Sequence, residues 1–322
     1  MTPADDLLCS HSFQSGWPGP RVAVLGGVHG DETCGTVAIE RVRAALETGG
    51  LALRRGVLTL VPVANPLARR LGRREGERNL NRSFQPTPQP ADHEARLANR
   101  LCPLLAQHDV LLDLHSFESA GTPFAMIGPR DNGAALEPFG RAREEGALAL
   151  QLGTACVIEA WLEIYAARLA RQGRAGDAQA IAFGWGTNEY MRSQAGYAVT
   201  LECGQHRDPQ APEVAYRAIL ATLAWLDMAG PPPAAPRHPR LLRLVDVVDR
   251  EHAGDRFVRP WASFDAVQQG QTIGLRADGQ AVQAPCDGAI VFPNPQAAPG
   301  SEWFYLAVDS DRRLDLPAGQ AC

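Results

Sequence analysis

Val22-Ala-Val-Leu-Gly-Gly-Val-His29-Gly-Asp-Glu32 is an apolar run of strand character that enters a glycine turn and delivers a histidine and a carboxylate three residues apart. A strand that gives way to a helix at such a turn lets His-x-x-Glu wrap a single ion, and Gly30 is expected to supply backbone angles that a β-carbon forbids. Leu111-Leu-Asp-Leu-His115-Ser116 is a second apolar run ending in a histidine. One strand-end histidine is more often a hydrogen-bonded core residue than a ligand. Two of them, one with a glutamate at i+3, read as a His₂Glu set, the type that leaves a coordination position on Zn²⁺ open for chemistry. Asp31 and Cys34 are the neighbouring rivals as ligands, and Asp113 is expected to orient His115 rather than to bind metal.

Working outward, short β-branched or leucine-rich runs alternate with stretches of helical period from Arg21 to about Gly230. The expected strands are Val22–Val28, Val57–Val63, Val110–Leu114, Phe124–Ile127 and Tyr197–Leu201. The expected helices are Thr33–Glu47, Asp92–Ala106, Leu136–Leu150, Ala160–Arg171 and Pro212–Met228. This alternation predicts an α/β fold with a parallel or mixed sheet, and His29 and His115 then fall just past the carboxyl ends of strands, where such sheets keep their sites. Residues 231–239, rich in proline, read as a stiff linker between a first domain (1–230) and a small all-β domain (240–322). In the latter, Leu241–Val248, Arg256–Trp261, Thr272–Leu275, Ala281–Ala284, Ala289–Phe292 and Trp303–Val308 are strand-like runs split by turn dipeptides.

Composition narrows the function classes. With 322 residues, 45% of them hydrophobic and 21% charged, the chain can bury a full core, and disorder is not expected. No run of about 18 apolar residues and no basic-then-apolar leader occurs, so a cytoplasmic protein with no membrane partner is expected. A net charge of -5 argues against nucleic acid as a partner. Every one of the 31 cations is arginine, which excludes lysine Schiff bases and leaves Gly30-Asp-Glu-Thr-Cys-Gly35-Thr36 without the lysine a phosphate loop needs. Seven scattered cysteines without Cys-x-x-Cys spacing fit reduced thiols rather than disulfides or a thiolate metal site.

Two further elements could serve chemistry. The polar stretch from Arg73 to Phe84 ends in Asn81-Arg82, side by side in a loop, a pairing suited to grip a carboxylate through a planar guanidinium and a neutral amide donor. The plain alternative is a solvated basic loop. Tyr197-Ala-Val-Thr-Leu-Glu202-Cys-Gly204 ends an apolar strand in a glutamate, which is costly to bury without a partner or a task. Beside a hydrolytic zinc ion, that task is general base and then general acid.

Gly27-Val-His29-Gly-Asp-Glu32, Asn79-Leu-Asn81-Arg82-Ser-Phe84, Asp113-Leu-His115-Ser116 and Thr200-Leu-Glu202-Cys-Gly204, in that order, resemble the succinylglutamate desuccinylase and aspartoacylase family, relatives of the zinc carboxypeptidases. Ala284-Pro-Cys-Asp-Gly-Ala-Ile-Val291 resembles part of that family's small β-domain. The resemblance implies a zinc-carboxypeptidase-like mixed sheet flanked by helices with a small C-terminal all-β domain. It implies one Zn²⁺ on His29, Glu32 and His115, Glu202 as the catalytic carboxylate, and Asn81 and Arg82 as the substrate's carboxylate clamp. It also implies an arginine that polarises the scissile carbonyl; Arg74 fits that position best, with Arg73 and Arg78 as rivals. The expected activity is zinc-dependent removal of the acyl group from an N-acyl amino acid. A carboxypeptidase-like peptidase acting on short peptides and a non-catalytic carboxylate-binding protein are the alternatives. The chain departs from the family where Asp-Leu-Asn-Arg is usual, since Asn79 stands in place of the aspartate.

Overall fold

The computed structural model describes residues 7–134, 136–231 and 238–315. Strands β1 (His11–Gln14), β2 (Arg21–Leu25), β3 (Val57–Val61), β4 (Val110–Phe117), β5 (Phe124–Met126), β6 (Cys156–Glu159) and β7 (Tyr197–Gln205) are interleaved with helices. These are α1 (Cys34–Glu47), α2 (Pro66–Leu71), α3 (His93–Leu105), α4 (Ala142–Gln151), α5 (Trp161–Arg171), α6 (Ala178–Phe183), α7 (Thr187–Ser193) and α8 (Ala211–Trp225). The described residues beyond α8 form strands alone: β8 (Arg240–Asp249), β9 (Arg256–Phe257), β10 (Ala266–Val267), β11 (Thr272–Leu275), β12 (Ala281–Gln283), β13 (Gly288–Val291) and β14 (Glu302–Asp309).

One eleven-stranded sheet runs β1-β3-β2-β4-β7-β5-β6-β8-β14-β13-β10, and β12-β11-β9 make a separate three-stranded sheet. Strands β3, β2, β4 and β7 are parallel. β5 then turns antiparallel to β7, and β6 and β8 follow β5 in parallel. Parallel strands need cover on both faces, which is why their sequences are apolar without alternation. Val22, Val24, Leu58, Leu60, Leu112 and Val199 pack with Ile39 of α1 and Ile219 of α8 in one cluster. Ala23, Leu25, Leu111 and Ala198 pack with Leu97, Leu101 and Leu105 of α3 in another. No helix among the described residues is long and apolar enough to cross a membrane.

Several elements differ from expectation. The helix predicted from Leu136 begins at Ala142, because Pro138 disfavours helical backbone at the residue before it and Asp131 Oδ1 accepts the Ala142 N–H at 2.8 Å, fixing the start. β4 and β7 run past Leu114 and Leu201, so His115 and Glu202 lie within strands rather than just beyond them. β1, β6, β10, α2, α6 and α7 have no counterpart among the sequence expectations. Most of the expected linker, residues 232–237, lies outside the described residues. The strands after it do not stand apart from the first sheet, since β8 pairs with β6 from Cys156↔Arg240 to Glu159↔Arg243.

Candidate metal centre and active site

Register brings the central groups together. In the parallel pair β4 and β7, His115 is directly opposite Glu202, which directs both side chains to the same face of the sheet. His29 reaches the same place from the turn after β2, where Gly27 adopts a φ of +59 and Asn65 N–H donates to the Gly27 carbonyl at 2.9 Å. Gly30 has a different role from the one expected. Its φ is not left-handed, but a Cβ there would come within 2.0 Å of the Ala68 carbonyl carbon in α2. The glycine is needed for close packing of the turn on a helix.

His29, Glu32 and His115 are all buried, and one ligand atom from each lies within 4.8 Å of the others. Glu32 Oε1 is 2.8 Å from His29 Nδ1, and Glu32 Oε2 is 2.9 Å from His115 Nδ1. The far side of each ring is also engaged. His29 Nε2 is 3.1 Å from Asn79 Oδ1, an oxygen whose identity is fixed because it accepts the Asn81 N–H at 2.8 Å. Asp113 Oδ2 lies 3.0 Å from His115 Nε2, an electrostatic contact rather than an aligned hydrogen bond. Burial, with help from Arg74, pushes His29 down to about 4, so the ring is neutral near pH 7. Because Asn79 Oδ1 can only accept, the neutral tautomer that fits this contact carries its proton on Nε2. Nδ1 then presents a lone pair to a carboxylate oxygen at 2.8 Å, two acceptors in contact that call for a cation between them. Burial opposes ionisation of Glu32, but the two histidines outweigh it and hold its carboxyl well below the usual range. For His115, burial works downward while Asp113 and Glu32 prevail and raise it well above the ordinary value. The donor set and its charge fit one divalent ion. Of the rivals, Cys34 Sγ donates to the His115 carbonyl at 3.3 Å, whereas Asp31 groups with Glu32 and His206 in a second, less buried set of potential ligands.

The arginine loop is held by a residue that sequence reasoning missed. Glu94, fully buried in the first turn of α3, accepts the N–H groups of Gly76 (3.1 Å), Glu77 (3.2 Å) and Arg78 (3.1 Å) and the Asn65 amide (3.0 Å). Its only sequence signal is a carboxylate two residues after the α3 cap Asp92. Anchored in this way, the loop distributes its arginines differently. Arg73 turns to the carbonyls of Glu75 and Gly76, and Arg78 to Asp92 and the carbonyls of Asn79 and Arg82. Arg74 reaches the centre, with Nη1 3.0 Å from Glu32 Oε1. Arg82 bonds the Asn81 carbonyl at 2.9 Å and lies over the Trp161 ring at 5.4 Å, without a carboxylate partner among the described residues. Asn81 Oδ1 accepts the Thr187 N–H at 2.9 Å, which leaves its NH₂ as the group it can offer a ligand.

Glu202 is buried, and its Oε2 has no hydrogen-bond partner among the described residues. Burial, reinforced by Glu32 and Asp113 against the pull of His115 and Arg74, pushes it up to about 8. His29, Glu32, Arg74, Asn81, Arg82, His115 and Glu202 all line one cavity of about 660 Å³. Phe292 and Tyr305, from the C-terminal strands, form part of its wall, as do Trp161 and Met126. These wall residues carry no motif; only the fold gathers them.

Residues 18–152 match the family model of the succinylglutamate desuccinylase/aspartoacylase catalytic domain. Over this stretch the chain carries a domain of the succinylglutamate desuccinylase/aspartoacylase type. The desuccinylase/aspartoacylase match includes His29, Glu32, Arg74, Asn81, Arg82 and His115, while Glu202 lies beyond it. Solved structures extend the likeness of fold over most of the chain. A succinylglutamate desuccinylase/aspartoacylase from Rhodobacter sphaeroides is 20% identical with a TM-score of 0.69, covering 92% of this chain and 87% of that one. A product-bound ectoine utilization protein EutE (DoeB) from Ruegeria pomeroyi is 21% identical with a TM-score of 0.69, covering 93% and 88%. Succinylglutamate desuccinylase from Vibrio cholerae is 21% identical with a TM-score of 0.69, covering 92% and 83%. A search of curated proteins returns no significant match.

Proposed function

We propose that this protein is a zinc-dependent amide hydrolase that removes the acyl group from an N-acyl amino acid. The observation that carries the reading is Glu202 Oε2, unpartnered among the described residues, beside the His29–Glu32–His115 set, in a cavity shared with Arg82, which has no carboxylate partner among those residues. His29, Glu32 and His115 would hold Zn²⁺, which would supply Lewis acidity to the reaction. The other steps belong to the chain. Glu202 takes a proton from the attacking water and returns it to the departing amine, so the C–N bond breaks, the hydroxyl joins the acyl carbon and the amine leaves protonated. Burial raises the proton affinity of Glu202 above that of a free carboxylate, which strengthens it as a proton acceptor. Arg74 donates to the carbonyl oxygen as negative charge develops on it, and Arg82 with the Asn81 NH₂ holds the substrate carboxylate. Asn79 and Asp113 hold the two imidazoles from behind. Residues 1–230 form the catalytic part in this reading, and the strands from residue 240 onward wall its cavity. A cavity of about 660 Å³ suits a small molecule better than a peptide chain.

The test combines metal content with turnover. Purified protein is expected to carry about one zinc per chain and to release amine from N-acyl amino acids in a chelator-sensitive way, and His115→Ala to lose most of the metal, because two ligands rarely hold Zn²⁺ tightly. Full zinc retention in that variant, or deacylation indifferent to chelation, would overturn the assignment.

A further inference from the structure

The cavity's cations are nearly all committed. Among the described residues, Arg74, Arg82, Arg168 and Arg192 line it. Arg192 is ringed by Glu137 (2.8 Å), Glu145 (2.9 Å) and Glu189 (3.4 Å). Arg168 pairs with Asp249 at 2.9 Å and with Glu302 at 3.7 Å, and Arg74 contacts Glu32 at 3.0 Å. Arg82 alone of the four has no acidic partner among the described residues. The cavity therefore offers one guanidinium for one substrate carboxylate. A second carboxylate would enter a space also lined by Asp31, Glu75 and Glu118, where no other described arginine of the cavity is left without an acidic partner and His206 already lies beside Glu118.

What the cavity offers instead is apolar surface. Trp161 and Tyr305 have ring centroids 5.4 Å apart, Tyr305 and Phe292 6.2 Å apart, and Met126 and Ile127 continue the wall. The backbone holds two of these aromatics by conformations that side chains with a β-carbon seldom adopt. Ala160, directly before Trp161, has a φ of +76, and Phe292 itself a φ of +49. Such strain persists where the surroundings fix a side chain for use.

We propose, building on the deacylase reading above, that the substrate is an N-acyl amino acid with a single carboxylate, an uncharged acyl group and an apolar side chain. Arg82 and Asn81 take the carboxylate, and the Trp161–Tyr305–Phe292 wall takes the apolar remainder. Steady-state kinetics on the zinc-loaded full chain compare N-acetyl-L-phenylalanine and N-acetyl-L-leucine with N-acetyl-L-aspartate and N-succinyl-L-glutamate. The first pair is expected to have kcat/KM values higher by on the order of 100-fold, because a desolvated carboxylate without a partner is strongly disfavoured. Zinc-loaded Glu202→Gln adds a reading without turnover, in which N-acetyl-L-phenylalanine is expected to bind at least about tenfold more tightly than N-acetyl-L-aspartate. Trp161→Ala is expected to raise KM for N-acetyl-L-phenylalanine about tenfold with zinc content unchanged. Preference for either acidic substrate, or an unchanged KM in Trp161→Ala, overturns the inference. Tight apolar binding by Glu202→Gln with no turnover of any substrate by the wild type would instead overturn the deacylase reading and support the cavity assignment.

Discussion

Glu94 and Glu202 are both buried carboxylates, one behind the arginine loop and the other in the cavity wall, and their partners differ. Around Glu94, three backbone N–H groups and one amide converge on a single side chain. Toward the end of β7, Glu202 has an oxygen that no described residue satisfies. Burial is common to both, so burial does not tell structure from chemistry. The number of donors does: the saturated carboxylate fixes a loop, and the unsatisfied one is kept for a ligand or a proton.

The largest effect is expected at the unsatisfied end. Glu202→Gln should lower kcat by roughly 10³–10⁴-fold with fold and zinc content intact, because an amide cannot shuttle a proton. Parallel kinetics and metal analysis check it, and near-normal turnover in a folded, zinc-loaded variant would erase the contrast with Glu94. Arg74→Ala comes next, with kcat expected to fall by roughly 10²–10³-fold and KM to move less, the pattern of a contact made mainly in the transition state. Arg73→Ala and Arg78→Ala, which remove loop contacts, sharpen the comparison if they spare kcat and blur it if they do not.

Glu94→Ala belongs to the saturated end. It should leave three N–H groups without their acceptor and lower unfolding stability by about 3 kcal/mol, read from a denaturant midpoint. A loss in turnover without a loss in stability would move Glu94 into the chemistry. The smallest effect concerns a carboxylate between the extremes. Glu137 shares Arg192 with two other glutamates, and burial pushes it up to about 7. A folded-state pKa above the unfolded value means that its contribution to stability is complete below about pH 4.5 and lost as pH rises through about 7. Glu137→Gln, which keeps a neutral group there, should therefore gain on the wild type by on the order of 1 kcal/mol between pH 5 and 8, seen as a widening Tm difference. A Tm difference independent of pH would mean that Glu137 stays ionised.

Elements with long periodic patterns were legible from sequence: β2, α1, α3 and α8 fall within a few residues of expectation, and the order of strands and helices gave the fold class. The short ones were not. Cys156–Glu159 and Thr187–Ser193 carry too few residues for a period to emerge, and they hold their shape through the neighbours they pack against. The residues put forward for metal and substrate sit in or beside recognisable motifs, and they meet in one cavity. The groups that tune them come from far along the chain. Thr187 fixes Asn81 across 106 residues, and Glu94 gathers a loop 16 to 18 residues before it. Trp161, Phe292 and Tyr305 fall inside an expected helix and two expected strands, and nothing in the sequence marks them for the cavity.

Strand β8 has a consequence for how this chain can be cut, joined or inherited. It follows β6 in parallel on one side and meets β14 in antiparallel register on the other, so a single sheet passes through what looks in the sequence like a border. A fragment ending at residue 230 would present β6, with Val157 and Ile158 in its core, as a raw edge whose open N–H and C=O groups invite pairing with another chain. The C-terminal strands thus act as an edge guard as well as a wall. They can be exchanged between relatives only as a unit that carries its own β8, and the seam for such an exchange lies on the β6 side of that strand.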